Sequence, residues 1–566
     1  MRSYSPWLLL VTVGIYMLAW LIQSSILINW DVSWLMYASK KLVAGGTYSN
    51  DFFEVNPPLI LYLYIPPVQL AKYAAISAAV ALRIYVFLLA TCSLCLCRTL
   101  ANKIFLTTDH RIKNIFLILL ATVFLILPMH EFGQREHLLM IFAFPYFLLM
   151  SRRLQNEPVS TPLAITIGLF SSLGFAMKPY FLITPFLIEL YYMVQKRRIS
   201  ACIRPETLML SSFLVAYAIT IGVAHPDYLH HIIPLVIRIP FYQAYDTAWN
   251  MLLLNPYAIF SLLVALFCIS QYEQDSAYQA LTRVLLLALI GFLLSYLVQH
   301  TTWYYHASPA NQTAIVLATF LLALFVRDNN TVDSRRMVLG LLTASMIFYV
   351  YWGRNLPTFL GFADTHFYGF FGMLLVALLY LAKTQPKVTT RCMLRYMVVT
   401  LMAVGILSFP FYNACQTFDY AVAKKARLAK LIVFMRLHAW HKPVFYFANS
   451  ATDTLPAIED AEAMPATRME DQGWIPGFLA QQPLNNQLLQ DKNFIIDMIA
   501  DDLNKNKPEY ILIDRSKNST HAATIHFDYI TYLSENAQFQ TAWKNYAYFT
   551  TLENKPFYQF DIYKRS

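Results

Sequence analysis

Long apolar runs recur along the first 412 residues of this chain, and no other feature restricts its possible fold as strongly. A helix needs about 20 apolar residues to cross a lipid bilayer, and somewhat fewer where neighbouring helices surround it. Such runs lie near residues 7–28, 82–97, 114–128, 138–150, 160–176, 180–194, 208–224, 252–270, 283–299, 311–326, 337–352, 367–382 and 393–411. The sequence therefore predicts a polytopic α-helical membrane protein with about 13 transmembrane helices.

The composition of the 566-residue chain favours the same class, because 57% of residues are hydrophobic and only 13% are charged. Soluble domains carry about 25% charged residues. The formal net charge of +10 does not indicate nucleic-acid binding, since Lys and Arg in cytoplasmic loops account for it. Cys92 and Cys95 form a C-x-x-C pair inside an apolar run, which favours helix packing over a metal or disulfide framework.

The positions of basic residues predict how the chain crosses the membrane. The first run has no small-residue cleavage site after it, which indicates an uncleaved helix with a cytoplasmic N-terminus. Segment 59–73 is also apolar, but Pro66 and Pro67 in its middle favour a helix along the outer surface. With that assignment, residues 30–81 form an outer loop, and the basic loops become cytoplasmic. Those loops lie at 98–113, 151–155, 195–204, 327–336 and 383–395.

The character of the chain changes after the last apolar run. Residues 413–566 are mixed in polarity; 442–448, 508–516 and 555–565 are typical of strands, and 493–506 of an amphipathic helix. Such alternation predicts a small α/β domain. An odd number of spans places this domain outside the cytoplasm. The sequence thus predicts a transmembrane domain over 1–412 and a periplasmic α/β domain over 413–566.

The outer loop contains the acids that most need an explanation. Asp31 directly follows the first span, and it is interpreted either as a general base or metal ligand, or as the cap of the amphipathic helix that follows. Asp51 and Glu54 precede Asn56 and a Pro-Pro pair. These two acids could orient an acceptor or bind a divalent cation, although a solvated loop also contains acids.

Cationic groups on other outer segments are candidates for phosphate binding. In "HEFGQREH", the spacing does not match a zinc-binding H-E-x-x-H motif, but Arg135 and His137 could hold a phosphate. Arg135 could equally form an ion pair with Glu131 or Glu136. Lys178 is a lone cation between two spans, suited either to a phosphate or to a membrane-interface anchor. His306 could donate to a phosphate, and Tyr305 beside it is a candidate for donor binding, although an interfacial aromatic would also explain it. No role is assigned to His225, Asp227, His230 and His231.

Several of these segments together resemble the GT-C superfamily of glycosyltransferases. They are the acid after the first span, the Pro-Pro-Leu of the outer loop, Arg83 opening the second span, and the segments "GFAMKPYFLITPF" and "WYYHASPA". Within the superfamily, the chain is similar to the branch of the lipid A aminoarabinose transferases and protein O-mannosyltransferases. The resemblance covers most of the chain, including the late spans and the outer C-terminal domain, although each motif is short.

The resemblance implies a polyprenyl-phosphate sugar as donor, a lipid or glycan acceptor, and transfer at the periplasmic face of a bacterial inner membrane. It implies that Asp31 is the catalytic base or a metal-linked acid, with Glu54 as the second loop acid and Lys178 on the phosphate side. The family often has Lys where this chain has Asn56, so Lys178, Arg135 or His306 would have to bind the phosphate. A carboxylate base and cations for the leaving phosphate predict a single displacement with inversion.

Two other functions stay open at this point. One is a GT-C transferase that acts on a protein or a glycan polymer. The other is a flippase or transporter of lipid-linked sugars, although such proteins usually show internal repeats and charges near mid-bilayer, and neither is evident in this sequence. The identity of the sugar, the acceptor and any divalent metal ion are not determined by these patterns.

Overall fold

The computed structural model describes residues 6–239, 247–270, 278–301, 303–328, 390–516 and 527–566. Its membrane part is made of helices whose bounds follow the apolar runs. They are α1 Pro6–Ser25, α2 Trp30–Val43, α3 Leu59–Ala74, α4 Ala78–Ile104, α5 His110–Leu125, α6 Arg135–Leu154, α7 Thr161–Phe175, α8 Ile183–Lys196, α9 Pro205–Ala224, α10 Ile233–Arg238, α11 Ala248–Leu254, α12 Pro256–Ser270, α13 Gln279–Gln299, α14 Tyr304–Asp328 and α15 Thr390–His438.

Six of the described helices are long and apolar enough to cross a membrane, namely α1, α4, α6, α9, α13 and α14. Parts of α7 and α12 are apolar but shorter. The prediction of a polytopic α-helical membrane protein is therefore confirmed. The predicted number of about 13 spans stays a prediction. The predicted spans near 337–352 and 367–382 lie outside the described residues. Segment 59–73 forms α3, which contains Pro66 and Pro67 and is not among the six.

Helix α6 is the centre of the membrane part. Every residue from Arg135 to Arg152 is buried, and α4, α7, α13 and α14 pack around it. A helix that is apolar along nearly its whole circumference is stable only when other helices surround it. Because other helices surround α6, the polar residues of its first turn are buried as well.

The C-terminal unit is a sheet covered by helices. Its strands are β1 Pro443–Phe447, β2 Met464–Pro465, β3 Tyr510–Asp514, β4 Tyr546–Asn554 and β5 Tyr558–Arg565, in the order β2-β1-β3-β5-β4. Its helices are α16 Thr454–Asp460, α17 Trp474–Ala480, α18 Asn486–Asn506, α19 Tyr529–Leu533 and α20 Ala537–Trp543. β1 and β3 pair in parallel and are almost entirely buried, as expected for strands covered on both faces. β5 pairs antiparallel with β3 and β4.

The C-terminal unit packs against the segment between α2 and α3. The Tyr37 hydroxyl donates to the carbonyl of Pro465 at 2.8 Å, and Arg468 donates to the carbonyl of Ser49 at 3.0 Å. The N-terminal turn of α6 and the C-terminal unit thus lie on the same face of the helical bundle, whereas the basic loops after α6 and α8 lie at its other end.

Candidate active site

The first acid of the site is held by the start of α2. The side chain of Asn29 accepts from the backbone N–H of Asp31 at 2.9 Å, so Asn29 caps the helix. The alternative interpretation of Asp31 as the cap is therefore wrong: Asp31 lies inside the first turn. Its side chain is buried and turns toward α6, so the carboxylate does not serve as the helix cap.

The N-terminus of α6 supplies the partners of Asp31. Arg135 forms a buried ion pair with Asp31, and the Gln134 side chain donates to the same carboxylate oxygen at 3.1 Å. The alternative pairing of Arg135 with Glu131 or Glu136 is not observed as a hydrogen bond. Among the described residues, Nε and Nη1 of Arg135 are buried without a hydrogen-bond partner. The guanidinium therefore keeps N–H groups for an additional acceptor.

A second buried ion pair adjoins the first one. Lys178 donates to Glu136 at 2.6 Å and lies 3.4 Å from the side-chain oxygen of Gln299. Lys178 and Glu136 are 4% and 1% exposed, so the pair is almost fully removed from water. Nε2 of His306 lies 3.9 Å from the same Glu136 oxygen, and the Tyr305 ring centre lies 6.0 Å from the Lys178 ammonium. Since Arg135 and Glu136 are adjacent, the two pairs form one cluster.

Glu54 lies between α2 and α3 and interacts electrostatically with Arg135 and Asp31 of this cluster. It accepts from the Trp34 indole N–H and from both the backbone and the side-chain amide of Asn56, each at 2.6 Å. Burial raises the pKa of Glu54, and the two Asn56 donors and the charge of Arg135 oppose the shift only in part. Asn56 thus orients a carboxylate.

Two other ionisable groups of the cluster have strongly shifted pKa values. Burial lowers the pKa of Lys178 to about 8, although Glu136 raises it. Burial also raises the pKa of Glu131 to about 8, with a further increase from Asp31, and the Asn29 amide donates to this carboxyl at 2.9 Å. Such shifts are frequent at functional sites, where charged groups are kept away from water.

Some predicted site residues lie apart from this cluster or have their polar atoms occupied. The two ring nitrogens of His137 bond to the Gly133 N–H and the Phe124 carbonyl, so we do not propose His137 as a phosphate ligand. Asp51 accepts from the Thr47 N–H at 3.0 Å and faces Lys505 of the C-terminal unit. We therefore do not propose Asp51 as an acceptor ligand.

The unassigned polar residues after α9 do not join the cluster. His225 bonds to the Tyr62 hydroxyl at 2.7 Å, and Asp227 lies 4.0 Å from a ring nitrogen of His231. His230 is exposed. These contacts give no indication of a chemical role.

Several residues of the cluster were not singled out from the sequence. They are Asn29, Trp34, Gln134 and Gln299, together with Glu136 in its role as the partner of Lys178. Gln299 could have been noticed, because it is a polar residue at the end of an apolar run, directly before "HTTWYYHASPA". The other contacts join distant parts of the chain and leave no local pattern.

Asp31 and Glu54, the two candidate ligands of a divalent metal ion, both have protein partners. Asp31 is paired with the cationic Arg135, and Glu54 already accepts three hydrogen bonds. A metal ion needs several converging anionic or neutral ligands, and a neighbouring guanidinium opposes its binding. Within the described ranges, no group of three or more His, Cys, Asp or Glu side chains is arranged to hold a metal ion.

The fold is similar to that of ArnT from Cupriavidus metallidurans in two crystal structures. The structure bound to undecaprenyl phosphate has a TM-score of 0.58 and 11% identity, with 99% of this chain and 98% of that chain covered. The apo structure has a TM-score of 0.55 and 12% identity, with 92% and 96% covered. No protein-family model and no curated protein sequence matches the chain. The likeness extends over nearly the whole chain and confirms the predicted fold.

Proposed function

We propose that this protein is a glycosyltransferase that moves a sugar from a polyprenyl-phosphate donor to a lipid or glycan acceptor at the periplasmic face of a bacterial inner membrane. One observation carries the proposal: two buried cations, Arg135 and Lys178, lie in one cluster with the buried carboxylate of Asp31. The likeness to a fold whose representative binds undecaprenyl phosphate supports the choice of donor.

The donor phosphate would bind at the N-terminus of α6. Arg135 has unpartnered N–H groups there within the described structure, and the positive end of the helix dipole favours an anion. Lys178 adds a point charge, and its competitor Glu136 would have to yield to the phosphate. His306 and the ring of Tyr305 border the same position. These groups would stabilise the charge that grows on the phosphate as it leaves.

Asp31 would act as the base. In the transfer, the bond between the anomeric carbon and the phosphate oxygen breaks while the acceptor oxygen or nitrogen forms a new bond to that carbon. The acceptor's proton passes to Asp31, and the electron pair of the broken bond leaves with the phosphate. As Arg135 turns to the phosphate, its hold on Asp31 weakens, so the carboxylate gains basicity when it is needed. Attack from the face opposite the phosphate predicts inversion.

Glu54 would orient the acceptor. Its carboxyl is fixed by Trp34 and Asn56, so it offers a rigid acceptor of hydrogen bonds next to the charged cluster.

The test is a transfer assay with purified protein in nanodiscs and a panel of radiolabelled undecaprenyl-phosphate sugars. Asp31→Asn keeps the shape of the side chain but removes the base, and general-base catalysis contributes about 10²–10⁴-fold. We expect a loss of transfer in that range, with donor binding retained. Asp497→Asn, at an exposed position of α18, serves as the matched control and should transfer at the wild-type rate. Wild-type rates for Asp31→Asn would refute the assignment of the base.

A further inference from the structure

A segment of the C-terminal unit closes over the outer loop beside the proposed site. The backbone N–H of Phe53 donates to the carbonyl of Arg468 at 2.5 Å, and the rings of Phe53 and Trp474 pack edge to face with centres 5.5 Å apart. Phe53 directly precedes Glu54. Residues 465–474, which we name the closing segment, therefore reach the residue next to a proposed acceptor ligand.

The closing segment is rigidly held on both sides of Glu470. Arg468 is 7% exposed and bonds to Asp502 at 2.7 Å as well as to the outer loop. The Tyr446 hydroxyl of β1 donates to the carbonyl of Glu470 at 2.6 Å. The backbone of Glu470 is thus fixed by both the sheet and the outer loop.

The side chain of Glu470 faces the charged cluster. Its burial, followed by its electrostatic interaction with Asp31 and Glu54, raises its pKa well above the ordinary value. Among the described residues its Oε1 atom is buried without a hydrogen-bond donor. A buried oxygen without a donor costs about 1–3 kcal/mol of desolvation, so such groups are rare in native proteins and a functional role is one explanation for them.

We propose that Glu470 is a ligand-binding residue of the site and accepts a hydrogen bond from a carbohydrate hydroxyl. The inference rests on the proposed function and extends it, because it gives the C-terminal unit a direct part in binding. A phosphate does not fit beside Glu470, because the nearby acids Asp31 and Glu54, which raise the pKa of Glu470, oppose an anion there. A hydroxyl is a neutral donor, and both the transferred sugar and a glycan acceptor carry it.

The experiment compares Glu470→Ala and Glu470→Gln with wild-type protein in nanodiscs. Binding is measured by tryptophan fluorescence for undecaprenyl phosphate and for an undecaprenyl-phosphate hexose and pentose. The kcat and KM of transfer are measured with a detergent extract of envelope glycolipids as acceptor. Glu470→Ala removes the hydrogen-bond acceptor. We expect about a tenfold loss either in the affinity for the sugar-bearing donors or, as a higher KM, in the use of the acceptor extract. Glu470→Gln keeps an acceptor oxygen and should lose less. Glu535→Ala, at an exposed position of the same unit, is the control.

The binding and the kinetic measurements together distinguish a hydroxyl of the donor sugar from a hydroxyl of the acceptor. Weaker binding of the sugar-bearing donors with unchanged binding of undecaprenyl phosphate assigns the hydroxyl to the donor sugar. A higher KM for the extract, with donor binding and kcat unchanged, assigns it to the acceptor. The inference would be overturned if neither donor binding nor the KM changed. It would also be overturned if undecaprenyl phosphate, which carries no sugar, lost as much affinity as the sugar-bearing donors. Failure of the proposed function looks different, because wild-type protein would then bind no undecaprenyl-phosphate compound, and the inference would fall with it.

Discussion

The buried pair of Lys178 and Glu136 makes a quantitative prediction about stability and binding. The ammonium and the carboxylate are 2.6 Å apart, and their side chains are 4% and 1% exposed. At an effective dielectric constant near 20, the attraction of two unit charges at that distance is about 6 kcal/mol, most of which offsets their desolvation. Removing one partner leaves the other buried without its counter-charge, which costs about 3–5 kcal/mol. We expect that loss in the unfolding free energy of Lys178→Met.

The double variant Lys178→Met with Glu136→Gln separates stability from binding. It removes both charges, so we expect it to recover most of the lost unfolding free energy, while donor binding stays weak because the phosphate has lost its cation. Glu136→Gln alone should bind undecaprenyl phosphate more tightly than wild type, since the phosphate no longer competes with a carboxylate.

Unfolding in mixed micelles followed by circular dichroism gives the stabilities, and tryptophan fluorescence in nanodiscs gives the binding. Lys430→Met, which changes an exposed lysine of α15, is the matched control and should be close to wild type in both. A Lys178→Met protein as stable as wild type would refute the reasoning, and so would a double variant that binds donor normally.

Two further predictions concern the same cluster. Burial lowers the pKa of Lys178 to about 8, so the charged form of Lys178 predominates below that pH. The phosphodiester of an undecaprenyl-phosphate sugar does not titrate in this range. The affinity of the protein for this donor should therefore fall by up to about tenfold per pH unit above 8. Lys178→Arg, which stays charged, should flatten that fall in a binding titration from pH 7 to 9.5, and an unchanged profile would contradict the assignment. Asn29→Ala removes the cap of α2 and should cost about 1 kcal/mol of unfolding free energy, whereas Asn29→Ser keeps a capping oxygen and should cost less; equal losses in unfolding curves would show that the cap is not the cause.

The membrane class of the fold could be predicted from the sequence because it depends on local composition. An apolar run as long as Ala78–Ile104 is long enough to cross a bilayer, and a helix satisfies its backbone hydrogen bonds there without water. The strands at 442–448 and 508–516 were also recognisable, since buried parallel strands are short runs of aromatic and branched residues. The short strand β2 at Met464–Pro465, which pairs with the edge of β1, has no such pattern, because two residues are too few to show one.

The candidate site was predictable only as a set of residue types. Asp31, Arg135 and Lys178 stood out because charges are scarce in this chain and costly near a bilayer. Their pairing was not predictable, since Arg135 pairs with an acid 104 positions away and Lys178 with one 42 positions away. The sequence around His137 suggests a phosphate ligand. In the structure, both ring nitrogens of His137 are hydrogen-bonded to backbone groups, which could not be foreseen from the sequence.

The sequence by itself determined that this chain crosses a membrane repeatedly, has a C-terminal unit of strands and helices, and carries Asp31, Arg135 and Lys178 near the ends of its apolar runs. These properties follow from hydrophobicity and local periodicity, which are read residue by residue. Only the tertiary structure decided which charge neutralises which, that Asn29 and not Asp31 caps α2, and that Glu470 of the C-terminal unit faces the cluster. The reason is physical: an ion pair or a buried hydrogen bond depends on distance in space, and helix packing brings together groups that are far apart along the chain.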